Sequence, residues 1–211
     1  MNMKRCLLAP VFVLTLIAGA AQAASFTNST GLSGIFSTET FGPSGTPANY
    51  TPAGSLFSGM TFGANMYVNS DFSGLPGFSG NGVANFFSPL LGVVPTSVTF
   101  STPVLAAAFA LVTNTSTPSQ STFIASLGST PVETFSLFTG IPSVPTYVGF
   151  TGITFDTITF IPAGTGVKIV IDNLQITPVP EPETYAMMLA GLGLLGFVAR
   201  RRGKRPERAA A

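Results

Sequence analysis

Turn-forming residues interrupt this chain so often that a long helix has room only near its C-terminal end. The 211 residues include 23 glycines and 17 prolines, set among Ser, Thr and Phe, with few of the Leu, Glu, Lys and Ala runs that build helices. Between the breaks, apolar and β-branched residues recur at period two, the mark of half-buried strands. The pattern predicts strands at Met60–Asn69, Ser97–Phe100, Ala107–Thr113, Thr122–Leu127, Glu133–Phe138, Thr146–Phe150, Ile153–Ile161 and Val167–Ile176. In the last of these, Val167, Ile169 and Ile171 share one parity while Leu174 and Ile176 take the other, so a bulge is expected near Asp172-Asn173. Ile153 and Phe155 against Ile158 and Phe160 place a second near Asp156. Short strands separated by frequent turns predict an all-β fold, an antiparallel β-sandwich with jelly-roll connection. Ala24–Pro52 and Ser70–Gly82 read as long glycine- and proline-rich loops, packed down by single phenylalanines such as Phe41, Phe72 and Phe78.

The C-terminal end is of another kind. Val179-Pro180-Glu181-Pro182 precedes an uncharged run from Tyr185 to Ala199, and Arg200, Arg201 and Arg202 follow, with Lys204, Arg205 and Arg208 beyond. The two prolines fix φ and lack amide donors, so Pro180 to Pro182 should be extended and open to a protease groove. The run of about 15 residues is expected to form a transmembrane helix over 185–199. At about 1.5 Å per residue it spans about 22 Å, short of a hydrocarbon core of about 30 Å. The basic cluster orients such a helix with the 203–211 tail in the cytoplasm.

This order of Pro-Glu-Pro, apolar segment and arginines resembles the PEP-CTERM sorting signal. The resemblance implies recognition by exosortase, a membrane-embedded transpeptidase of Gram-negative bacteria, and covers residues 178–202 only. It also implies passage through the inner membrane and then delivery to the cell surface or an exopolysaccharide matrix. A looser resemblance lies just upstream: the segment Tyr147 to Phe160 followed by Val170-Ile171-Asp172-Asn173-Leu174 is similar to the close of many PEP-CTERM passenger domains and of carbohydrate-binding β-sandwiches.

The N-terminus agrees with export. Lys4 and Arg5 precede an apolar stretch from Leu7 to Ala20, and Ala21-Gln22-Ala23 fits a signal-peptidase site. The general secretion machinery is thus an expected partner, residues 1–23 a cleaved signal peptide, and Ala24 the first residue of the mature chain. Cleavage removes Cys6, the one cysteine, leaving the passenger domain at 24–177 without thiol chemistry.

Charge is scarce in that domain. Glu39, Asp71, Glu133, Asp156 and Asp172 face a single cation, Lys168, giving a net charge of about −4. With no arginine and one lysine it offers no phosphate-neutralising patch, so no nucleic-acid partner is expected. The absence of histidine excludes Ser-His-Asp triads, His-paired nucleophiles and His-ligated zinc. Two of the five acids could make a glycosidase pair, yet they are scattered singly and no tryptophan is present to stack a sugar. A Ser-Lys dyad through Lys168 is disfavoured, because that lysine alternates with apolar neighbours as the outward face of a strand. No catalytic residue and no cofactor is expected.

Two candidate sites remain. Asp172 and Asn173, with Asp156 from a neighbouring strand, offer oxygen donors for a structural Ca²⁺; the competing reading has them satisfying backbone amides at a bulge. Tyr50, Tyr67 and Tyr147 are candidates for a glycan groove, against ordinary rim or core packing. The sequence therefore reads as an exported, non-enzymatic surface or matrix protein with a structural or adhesive role, and as a glycan-binding module in the alternative.

Overall fold

Alternation decides most of the strands. The computed structural model describes residues 24–34, 36–43, 45, 47–85, 92–141, 144, 146–180 and 182–202. Ten strands and one helix follow in chain order: β1 (Ala24–Asn28), β2 (Ser37–Glu39), β3 (Met60–Phe62), β4 (Met66–Asn69), β5 (Gly82–Asn85), β6 (Thr96–Thr113), β7 (Ser119–Leu127), β8 (Thr130–Thr139), β9 (Tyr147–Ile161), β10 (Ile169–Pro178) and α1 (Pro182–Arg202). In β7 the side chains of Ser121, Phe123 and Ala125 are buried and their neighbours less so, the signature of a strand with one covered face. β10 is buried on both faces from Ile169 to Asp172, as a central strand must be.

The strands pair antiparallel in the order β4-β5-β10-β6-β9-β7-β8, with β1 added to β9, β2 to β10 and β3 to β6. The expected sandwich-like fold is present, but its layers are continuous. The pairs predicted as separate strands at 97–100 and 107–113, and at 146–150 and 153–161, are single long strands that serve both layers. Thr96–Thr99 of β6 lies opposite Thr157–Phe160 of β9, flanked by β3 and β7. Further along, Ala106–Ala110 lies opposite Tyr147–Thr151, flanked by β10 and β1. Register breaks on either side of Val104 separate the two halves, next to Asp156 where a bulge was expected, and Gly152 there takes φ 72°, a backbone conformation suited to glycine.

Folding the ladder over itself brings the aromatic residues of the two halves together. Phe109 meets Phe160 edge-on at 5.2 Å and Phe123 at 6.0 Å, and Phe123 stacks on Phe135 at 5.2 Å. Phe135 then meets Phe150 at 5.1 Å, linking β8 to β9. Such edge-to-face and offset arrangements add roughly 0.5–1.5 kcal/mol per pair beyond burial.

Several expectations are corrected. Met60–Asn69 is two strands, because Gly63 to Asn65 turn the chain. Ala24–Pro52 is not all loop: it contains β1 and β2, short and polar enough to escape a hydrophobic pattern. The Ser70–Gly82 loop does pack down, with Phe72, Leu75 and Phe78 lying on Ala84, Ala110, Val112 and Val170.

The transmembrane expectation is corrected too. The helix forms and begins at Pro182, three residues before the apolar run, but among the described residues no helix is long and apolar enough to cross a membrane. Gly191, Gly193 and Gly196 dilute the apolar run, and an added turn at either end takes in Glu183 or the arginines. The signal-peptide residues, Ala21 and Ala23 included, and the 203–211 tail lie outside the described residues.

Candidate functional site

The sorting segment leaves the body cleanly. β10 ends at Pro178, and Pro178, Val179 and Pro180 are exposed. Glu181 lies outside the described residues. Pro182 opens α1, where a missing amide donor costs nothing because the first helical N–H groups have no partner. Every side chain described from Thr184 to Arg200 is exposed, Met187 at 74% and Leu195 at 68%. Arg201 and Arg202 complete the helix. The helix thus presents a large apolar surface to solvent, of the kind that marks an interaction or membrane-contacting segment.

A second site assembles on the outward face at the β4 edge. Tyr67 of β4 stands opposite Ala84 of β5, and Ala84 opposite Val170 of β10, so all three point to one face. Tyr50 arrives beside them from the preceding segment, held by its own N–H donating to Val68 O (2.8 Å) and by Val68 N–H donating to Thr51 O (2.8 Å). Tyr50 has φ 65°, a left-handed conformation costly for a bulky residue. Tyr50, Tyr67, Val68, Asn69, Ala84, Asn85 and Lys168 line a cavity of about 190 Å³.

The polar groups there are tightly organised. Asp71 Oδ2 accepts from Lys168 Nζ (3.3 Å), Tyr50 Oη (3.2 Å) and Asn69 Nδ2 (2.9 Å), and Oδ1 from Asn49 Nδ2 (2.9 Å). These bonds, that of Asn69 first, outweigh partial burial and hold the Asp71 carboxyl below its usual range. The same carboxylate raises the Tyr50 phenol. Lys168 sits 5.9 Å from the centre of the Tyr50 ring and 5.6 Å from that of Phe72, a cation–π geometry that fixes the ammonium. Asn69 is almost wholly buried, and its Oδ1 has no hydrogen-bond partner.

The remaining candidates are not brought together. Tyr147 shares the outward face, opposite Ala110, but packs against the cluster of Phe78, Ala84, Ala110, Val112 and Val170 instead of lining the cavity; burial first, then Asp172, raises its phenol. Asp172 pairs with the same Ala110 level, whereas Asp156 follows Phe155 at the level of Val104. Six residues of β6 separate those levels, roughly 20 Å at 3.3 Å per residue. The Ca²⁺ set of Asp156, Asp172 and Asn173 is thus not assembled, and among the described residues no group of three ionisable ligands gathers for a metal.

Each acid has a local task instead. Asp156 Oδ2 accepts from Gly128 N–H in the β7–β8 turn (2.9 Å). Asp172 marks the expected bulge, with the register breaking before Gln175: Oδ2 accepts from Ser79 N–H (2.8 Å) and Oδ1 from Asn173 N–H (2.6 Å). Asn173, at φ 47°, donates from Nδ2 to Gly77 O (2.6 Å). Burial pushes Asp172 up to about 7 against those two amides, with Glu39 adding repulsion. Asp172 is wholly buried, so this acid has no access to a substrate. Glu39 Oε1 accepts from Phe41 N–H (2.9 Å), and Glu133 stands on β8 opposite Ala125. A wider cleft of about 810 Å³ beside Phe26, Leu105 and Ile153 has no ionisable side chain in its lining.

Sequence reasoning singled out Tyr50 and Tyr67 but not Asn49, Asn69 and Asp71, and it treated Lys168 as a plain outward residue. They come from three segments, Asn49 beside Tyr50, Asn69-x-Asp71 at the end of the tyrosine-bearing strand, and Lys168 before β10, so nothing in the linear sequence joined them.

Comparison with known proteins bears on the two sites unequally. No curated protein matches the chain. Among solved structures, a variant of the carbohydrate-binding module CBM29-2 is 16% identical, with TM-score 0.42, over 71% of this chain and 99% of its own. A carbohydrate-binding module of family 29 is 14% identical, with TM-score 0.38, over 77% and 97%. TmCBM61, solved with β-1,4-galactotriose, is 11% identical, with TM-score 0.36, over 62% and 99%. At such scores the likeness carries no argument for this chain. The family comparison is specific: the PEP-CTERM protein-sorting motif matches residues 178–202, spanning the exposed prolines, the apolar helix and the arginines, and it marks this chain as an exosortase substrate.

Proposed function

We propose that this chain carries an acidic, non-catalytic β-sandwich to the cell surface or exopolysaccharide matrix, where it has a structural or adhesive role. The observation that carries the reading is the sorting motif at 178–202, set on an exposed helix immediately after the last strand of the body. Exosortase takes up the apolar surface that α1 presents, and cleavage near Pro180 frees a body whose β10 is already complete at Pro178. The general secretion machinery removes residues 1–23, and the tail is held in the envelope until processing. Fractionation of an exosortase-bearing Gram-negative host tests this. Wild-type protein is expected at the surface, and Glu181→Ala protein is expected to remain unprocessed in the envelope; equal surface delivery of both would refute it.

The cavity beside Tyr50 and Tyr67 favours a second reading, a glycan-binding module. Two aromatic rings, a fixed cation, a carboxylate and amides in one place are the groups that recognise sugar hydroxyls and ring faces. A glycan array probed with the full chain tests it, and failure to retain any glycan would remove it.

A further inference from the structure

The geometry points to a single-sugar site: the cavity between Tyr50, Tyr67 and Lys168 takes one neutral pyranose ring, at a chain end or as an exposed branch. This rests on the glycan-binding reading above and specifies its site and ligand class. Size comes first. About 190 Å³ falls below the roughly 300–1,000 Å³ of sites for larger ligands, so it has room for one ring and not for a chain threaded through.

The walls fit that ring. Tyr50, 57% exposed, and Tyr67 offer aromatic surface for the apolar face of a pyranose. Around them are the Asn69 and Asn85 amides and the Lys168 ammonium, the last paired to the Asp71 carboxylate. Asn69 Oδ1 is buried without a partner, and in folded proteins most such groups are satisfied. A hydroxyl entering beside Tyr67 supplies the missing donor. The site is also organised in advance: four hydrogen bonds converge on Asp71, and two rings hold Lys168. Little side-chain freedom is left to lose on binding.

Charge sets the class. Lys168 is the only cation of the body, and Asp71 already neutralises it at 3.3 Å. A uronate or phosphate would meet a paired lysine in a body of net charge about −4, whereas neutral hydroxyls can donate to Asn69 Oδ1 and accept from Lys168 without adding a negative charge.

The experiment uses the full chain and saturation-transfer NMR, titrated with the methyl glycosides of glucose, mannose and galactose and with methyl glucuronide. At least one neutral glycoside is expected to bind, with the glucuronide at least several-fold weaker. Tyr50→Asn, which tolerates the left-handed backbone, and Lys168→Met are each expected to weaken binding by about tenfold or more, a difference of about 1.4 kcal/mol, with the circular dichroism spectrum unchanged. If wild type binds a neutral sugar and both variants bind it equally well, this site is wrong while the glycan reading stands. If wild type binds no saccharide here or on an array, both fall. Tighter binding of the glucuronide would overturn the neutral class.

Discussion

Asp172 makes the stability of this protein depend on pH in a direction opposite to that of an ordinary surface acid. Its carboxyl is wholly buried, and its pKa rises from 3.8 to about 7, burial winning over the amides of Ser79 and Asn173. A folded-state pKa raised above the unfolded one leaves stability fully present below 3.8 and removes it as pH climbs through 7. The whole shift is worth about 4 kcal/mol at 1.36 kcal/mol per unit. Between pH 5 and pH 8 the share lost is about 2–3 kcal/mol, equivalent to roughly 5–10 °C in Tm for a domain of this size. Denaturant unfolding of wild type and Asp172→Asn at both pH values measures it. The asparagine variant should lose about 1 kcal/mol at pH 5, because its amide can accept from only one of the two N–H groups. Its stability should then change much less than wild type toward pH 8. A wild type more stable at pH 8 than at pH 5, or a variant with the same slope, would show that the buried acid does not govern this behaviour.

Other expectations follow from packing. Phe123→Ala, at the meeting point of Phe109, Phe135 and Phe160, should cost about 3–5 kcal/mol by denaturant titration. At Gly149 an added Cβ would collide with the Ala107 carbonyl oxygen and the Ala108 backbone; Gly149→Ala should therefore lower stability by about 1–3 kcal/mol, separating β9 from β6. Removing residues 178–211 should leave a soluble domain with a β-dominated far-ultraviolet spectrum, since no described side chain of α1 from Thr184 to Arg200 is buried against the body; a helical spectrum or loss of cooperative unfolding would argue otherwise.

β7 was legible because the period-two placement of Phe123 and Ala125 records one buried face directly, and β10, buried on both faces from Ile169 to Asp172, was legible from its dense apolar run. Both bulges were legible for the same reason, as parity switches near Asp156 and Asp172. β1, β2 and β5 were not, since stretches as short as Ser37–Glu39 and Gly82–Asn85 owe their extended form to the strands beside them and carry little pattern of their own. The doubling of β6 and β9 across two layers was also hidden, because periodicity does not distinguish a bend within a strand from a turn between two. The sorting segment could be read from sequence as a linear motif. The Tyr50 cavity could not: Asn49, Asp71 and Lys168 come from three separate segments, and only pairing of β4, β5 and β10 sets them side by side. The membrane span failed on composition, with three glycines and flanking charges leaving a helix too short in apolar length.

The intact mass of the surface-located protein tests the central claim most directly. In a host with exosortase, the protein is expected to begin at Ala24 and to lack the peptide from Tyr185 to Ala211, while deletion of the exosortase should yield a chain that retains it. Surface protein carrying the complete tail in the unmodified host would contradict processing at the motif.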